Sequence, residues 1–150
     1  MEVARDFLTF VNLTSGTLVG VETEGAWHGE TGWRATWGGQ IIQGRDNEDQ
    51  ALADVSPDEF FAGVGRDKKP WGFDARLTWR GAKNDPGSSE QAIGSATLLA
   101  ASAYFHPAPA WRLELRGVNL LNEVYFPTAD DKAQEAPGRT FGLFLTWSGG

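Results

Sequence analysis

Few side chains in this sequence have the chemistry for catalysis or metal binding, and their spacing decides what they can do. His28 and His106 are metal ligands by type, but each lies in or beside a short turn, on strands the pattern keeps apart, so they do not form a site. Glu22 and Glu24 share one strand face, as an acid/base pair would, and as a row of polar residues facing water also would. Asp46–Asp49 and Asp130–Asp131 are acidic clusters without the ligand spacing of a calcium loop. The chain has no Cys, no G-x-S-x-G nucleophile turn and no glycine-rich loop leading into a helix. The expectation is no enzyme, no cofactor and no metal centre.

Composition narrows the classes further. The 150 residues are enough for one domain. The net charge of −7 argues against nucleic-acid binding, which needs a basic surface. No apolar run approaches the ~18 residues of a membrane-crossing helix. A mean hydropathy of −0.35 is nevertheless compatible with a membrane barrel, whose strands alternate apolar and polar residues. The N-terminal Met-Glu-Val-Ala-Arg-Asp lacks the basic and apolar regions of a signal peptide, and a Met directly before strand-like sequence is expected of a fragment.

The elements that must position these residues are strands. Trp71–Arg80 alternates Trp71, Phe73, Ala75, Leu77, Trp79 with Gly72, Asp74, Arg76, Thr78, Arg80, giving one apolar and one charged face. The same period predicts strands at Thr17–Trp27, Trp33–Gln43, Glu59–Arg66, Trp71–Gly81, Ala92–Phe105, Trp111–Leu121 and Arg139–Trp147, with Arg5–Leu13 as a candidate further strand. Ala129–Ala136 has helical composition but is too short to hold a helix unaided. Short turns at His28–Gly32, Asp67–Pro70 and Pro107–Ala110 alternate with long connections at Gly44–Pro57, Ala82–Gln91 and Asn122–Pro137, as the turns and loops of outer-membrane barrels do. Trp27, Trp33, Trp71, Phe105 and Trp111 flank the short turns. Trp79 stands roughly 19 Å up the membrane normal from Trp71, at ~3.3 Å per residue and ~45° tilt. Two aromatic girdles bounding an apolar band are expected.

The C-terminal third resembles the end of a TonB-dependent outer-membrane receptor. The residues that carry the resemblance are Val118-Asn119-Leu120-Leu121-Asn122-Glu123-Val124-Tyr125, followed by Ala136-Pro137-Gly138-Arg139-Thr140-Phe141. Upstream, Leu18–Glu24 and the Val55-Ser56-Pro57 segment are similar to family strands in the same order. Family members end on an aromatic residue; here Ser148-Gly149-Gly150 follow Trp147.

The resemblance implies an all-β, antiparallel up-and-down transmembrane β-barrel segment of about seven strands, part of a barrel of roughly 22. Alone, it should be an open curved sheet with Arg139–Trp147 as one unpaired edge. It implies a Gram-negative outer-membrane location with lipid as a partner, contact with TonB through an N-terminal part outside these residues, and a ferric siderophore, haem or similar scarce ligand. Asn119 and Asn122 are expected to satisfy backbone groups at a strand end, and Gly138 to follow Pro137 into the last strand. The ligand-contacting residues, on the external connections, would be Arg45, Asp46, Asn47, Lys83, Asn84, Asp130 and Asp131. Two other readings fit the pattern: a complete eight-stranded outer-membrane barrel and a soluble lipocalin-like binding module.

Overall fold

The computed structural model describes residues 16–148, and Arg5–Leu13 lies outside them. Seven strands follow one another: β1 (Gly16–His28), β2 (Trp33–Asp46), β3 (Glu59–Lys68), β4 (Trp71–Arg80), β5 (Ala96–Ala108), β6 (Trp111–Val118) and β7 (Thr140–Trp147). They form one antiparallel sheet in the order β1-β2-β3-β4-β5-β6-β7, with no helix among the described residues. Strands β1 and β7 are not paired with each other, so the sheet is open, with β7 as an edge as expected. Residues 29–32, 69–70 and 109–110 close the short turns. Residues 47–58, 81–95 and 119–139 make the long connections at the other end. The alternation read from the sequence is therefore the hairpin order of the sheet.

Several boundaries differ from the expectation, among them β3 ending at Lys68 and β5 at Ala108, and three have a clear local reason. The sixth strand stops at Val118 because Asn119 takes a left-handed φ of 51°, which an extended strand does not accommodate. The fifth begins at Ala96 because Ile93 is bonded to Lys83 in a separate bridge, Ile93 N–H donating at 3.1 Å and Lys83 N–H at 2.9 Å. The second continues to Asp46, where the pairing of Gly16 with Asp46 ends the ladder.

The register keeps the two faces apart across all seven strands. Trp71 pairs with Phe105, Phe105 with Leu113 and Leu113 with Leu145; Phe60 pairs with Trp79 and Trp37 with Ala62. This apolar face is exposed: Val21 at 71%, Trp27 at 54% and Leu143 at 70%. The buried apolar residues among those described are Ile93, Ala96 and Ala129, at the long-connection end, and no large side chain is fully buried. A lipocalin-like module would place its large apolar residues inside a closed barrel. This sheet presents most of them outward, with most of the charged residues on the opposite face.

The opposite face is built around glycine. Arg34 on β2 and Asp74 on β4 join at 2.7 Å across β3, over Gly65, where a Cβ would lie 2.5 Å from the carboxylate. Tyr104 on β5 reaches Asp67 on β3 across Gly72. Each pair spans two strands because the residue between them has no side chain. Arg112 lies over the Tyr104 ring and binds Glu114 at 2.9 Å, and Arg116 binds the same carboxylate at 2.8 Å.

These contacts predict unequal costs for adding one methyl group. Gly72→Ala would bring its Cβ to 2.5 Å from the Arg66 carbonyl, which the ladder holds in place. Gly65→Ala meets mainly the mobile ends of Arg34 and Asp74. Denaturant unfolding in detergent should show Gly72→Ala destabilised by about 1–3 kcal/mol and Gly65→Ala by less.

Candidate functional site

The long connections meet at one end of the sheet, and polar side chains tie them together. In 47–58, Asp46 Oδ1 accepts the N–H groups of Glu48 and Gln50, both at 2.9 Å, in a turn that side-chain acceptors of this kind commonly cap. Arg45 pairs with Asp85 of the second connection at 2.8 Å and donates to the Asp49 carbonyl at 2.9 Å.

The second connection holds the Lys83–Glu90 ion pair, whose side chains are 9% and 6% exposed, and both partners of the pair reach the first connection. Lys83 Nζ donates to Glu90 Oε1 at 2.7 Å and to the Val55 carbonyl at 2.9 Å. Glu90 also accepts the N–H groups of Gly87 at 2.6 Å and Asp54 at 3.0 Å. An ion pair removed from water is held only when such bonds satisfy its remaining groups, as they do here. Burial raises the Glu90 pKa, but the hydrogen bonds from Lys83, Gly87 and Asp54 outweigh it and hold the carboxyl below the ordinary glutamate value.

The third connection joins through the backbone. Gln91 N–H donates to the Ala129 carbonyl at 2.7 Å, Asp131 N–H to Ser89 at 3.2 Å, and Arg80 to the Pro127 carbonyl at 2.9 Å. Its base is organised by Asn119, which is 4% exposed. Asn119 Nδ2 donates to the carbonyls of Glu123 at 2.9 Å and Pro137 at 3.2 Å, while Oδ1 accepts Glu123 N–H at 2.9 Å. Asn122 Oδ1 accepts the Arg139 N–H at 3.0 Å. Both asparagines thus satisfy backbone groups at strand ends, as expected of them.

Between the first two connections and the end of β2 lies an open cleft of 250 Å³. Arg45, Lys83, Asn84 and Asp85 line it beside Leu52, Val55, Ser56 and Pro57. Of the residues singled out in the sequence, the fold brings Arg45, Lys83 and Asn84 to this cleft. Lys83 spends its ammonium group on Glu90 and Val55, which makes it a tie before anything else. Asp46 serves its own turn, and neither it nor Asn47 lines the cleft. Asp130 and Asp131 stand in the third connection, against Glu90 and Ser89. Sequence reasoning passed over Asp85 and Glu90, because their importance comes from partners in other connections. Tyr104, Arg34, Asp67 and Asp74 lie on the charged face at the opposite, short-turn end of the sheet. His28 and His106 sit on β1 and β5, and His106 Nδ1 lies 3.1 Å from the Trp111 carbonyl.

An open antiparallel meander with one aromatic-rimmed apolar face and short turns at one end only is a wall segment of a barrel of the outer-membrane type. No known protein family matches the sequence, and no curated protein sequence matches it. Solved structures match its fold; one is "Copper transporter OprC", with a TM-score of 0.78 at 15% sequence identity. That superposition covers 89% of this chain and 24% of the other, so the chain spans about a quarter of that protein's length.

Two outcomes are expected at this end of the sheet. Asn119→Ala removes three hydrogen bonds from a buried turn and leaves an L-residue at positive φ, at a cost of about 2–4 kcal/mol in denaturant unfolding. Glu90 has a lowered folded-state pKa, so its contribution is present above the ordinary value of 4.5 and lost as pH falls through the lower folded value. Hydrogen exchange at the Asp54 and Gly87 amides should show protection falling over that acidic range in the native chain. In Glu90→Gln the protection should be low throughout.

Proposed function

We propose that this chain is the C-terminal part of the β-barrel of a TonB-dependent receptor in a Gram-negative outer membrane. In this reading it forms about a third of a barrel wall, and the plug and remaining strands belong to the rest of a longer protein. The observation that carries the reading is the exposed apolar face. Trp33, Trp71 and Trp111 stand at its short-turn end and Phe60 and Trp79 towards the other. Lipid is the solvent that such a face requires, and aromatic girdles mark its two limits. The order of the TonB-receptor-like motifs and the fold shared with an outer-membrane-type barrel support it.

The receptor would take up a scarce ligand, a ferric siderophore or haem-like compound, from the side of the long connections. Arg45, half-exposed beside its partner Asp85, and Asn84 in the cleft would offer a cation and amide donors to carboxylate or catecholate oxygens, with Asp130 and Asp131 on the third connection, against Glu90 and Ser89. Transport would draw on the inner-membrane proton gradient through TonB, and the barrel would carry out no covalent chemistry.

Site-specific labelling tests the orientation. The chain contains no Cys, so Ser88→Cys in a long connection and Glu30→Cys in a short turn each give one reactive position. In intact cells making the full-length protein, a membrane-impermeant maleimide should label Ser88→Cys and leave Glu30→Cys unlabelled. Labelling of both, or of Glu30→Cys alone, would overturn the assignment. Iron-limited growth on haem or a ferric siderophore should fall in cells carrying Arg45→Ala with Asn84→Ala, with the protein still present in the outer membrane.

A further inference from the structure

Near the short turns the outward face carries two cations where only apolar residues would be expected. On β2, β3 and β4 the outward residues near the short turns are Trp33 and Ala35, Arg66 and Lys68, and Trp71 and Phe73. No carboxylate faces outward on these three strands. The register places Arg66 opposite both Trp33 and Phe73, and Lys68 opposite Trp71.

Arg66 is held between two indoles. Its guanidinium carbon lies 5.7 Å from the Trp33 ring centroid and 5.1 Å from that of Trp71. Phe73 packs against both rings, with centroids 5.7 Å from Trp33 and 6.5 Å from Trp71. Cation–π contact orients the group but accepts none of its hydrogen bonds in the guanidinium plane. Arg66 Nε is buried without a hydrogen-bond partner. Neither Arg66 nor Lys68 forms an ion pair with any described residue. The carboxylate between them, Asp67, points to the other face, where Tyr104 donates to it. A guanidinium so placed, with an ammonium two residues away on the same face, lacks only an anion.

We propose that Arg66 and Lys68, framed by Trp33 and Trp71, form a binding site for the phosphate of an anionic phospholipid at the short-turn rim of the sheet. The chemistry is a planar fork of N–H donors meeting phosphate oxygens, with the second cation adding charge. The position selects a lipid over free phosphate. The site lies on the apolar face at the level where indoles mark the interface, so a bound headgroup has its acyl chains against Ala35, Val64 and Ala75. The chain's overall charge of −7 would otherwise repel an anionic leaflet, and this local reversal of sign offsets it at one point on the rim.

The proposal rests on the membrane reading above, and the test separates the two. The full-length protein is reconstituted into phosphatidylcholine vesicles containing brominated phosphatidylglycerol or brominated phosphatidylcholine, and quenching of Trp fluorescence is titrated. Brominated phosphatidylglycerol should quench at about fivefold lower mole fraction, the preference one basic residue confers at a membrane surface. Arg66→Gln should abolish most of that preference, and Lys68→Gln, an exposed side chain, should reduce it without loss of the sheet. Lys132→Gln, in the third long connection, should leave it unchanged. Equal quenching by the two lipids in the native chain would overturn the headgroup site and leave the membrane reading standing. Absence of quenching by either would overturn both.

Discussion

The structure depends on one constraint: seven strands must satisfy their backbone groups against one another while one entire face has no protein to pack on. The strand-to-strand ladder does the first. Alternation does the second, by sending most of the large apolar side chains to one face and most of the charged residues to the other, Arg66 and Lys68 excepted. A soluble sheet of this size covers its apolar face with a second layer, and burial of that face supplies most of its stability. Here the described apolar residues that are buried are small or lie under the long connections. In the proposed membrane reading the stabilisation from Trp, Leu and Val on the outer face would come from lipid rather than from a core within the described strands.

The charged face shows how a sheet without a second layer acquires internal connections. Arg34 and Asp74, or Tyr104 and Asp67, are on strands that are not neighbours, and a side chain between them would keep them apart. Gly65 and Gly72 leave that space. Ion pairs this accessible to water are individually weak, on the order of 0–1 kcal/mol. Their effect is to link three strands at a time and to fix the positions of charges along a wall that a ligand would pass. The long connections are held differently, by the sequestered Lys83–Glu90 pair and by Asn119. Those contacts turn three chain segments with little regular structure into one body at the end of the sheet, and leave the cleft beside Arg45 and Asn84 with defined walls.

In the proposed receptor a wall charged inside and apolar outside would suit passage of a polar solute past lipid, and the ordered connections would place the first contacts with that solute at one end. At the other end the Trp-framed cations face the opposite boundary of the apolar band. The two ends of the sheet thus carry different chemistry for a physical reason. Short turns have no room for a cleft, so specificity there is limited to what strand residues can present outward. Long connections can fold over and enclose space.

Strand number, order and facing were legible in the residues because period-2 alternation and turn residues are local signals. The fourth strand had its start and faces from its own letters alone, ending at Arg80 one residue before the expected Gly81, and the short turns followed from glycine, proline and polar punctuation. The failures arose where contacts between separated segments decide. Leu121 continues the apolar pattern of the sixth strand, yet Asn119 ends it, because an asparagine at positive φ bonded to Glu123 and to Pro137, eighteen residues on, is stabilised by a contact that the pattern around Val118 does not show. Lys83 was expected among the ligand-contacting residues, and the fold has it donating hydrogen bonds to Glu90 and the Val55 carbonyl. Arg66 read as the end of a strand and became notable only when the register set it between Trp33 and Trp71. The sequence by itself determined which face each residue takes, because that depends only on parity along a strand. The tertiary structure alone decided which polar groups are spent on each other and which remain open to a partner, because that depends on contacts between segments far apart in the chain.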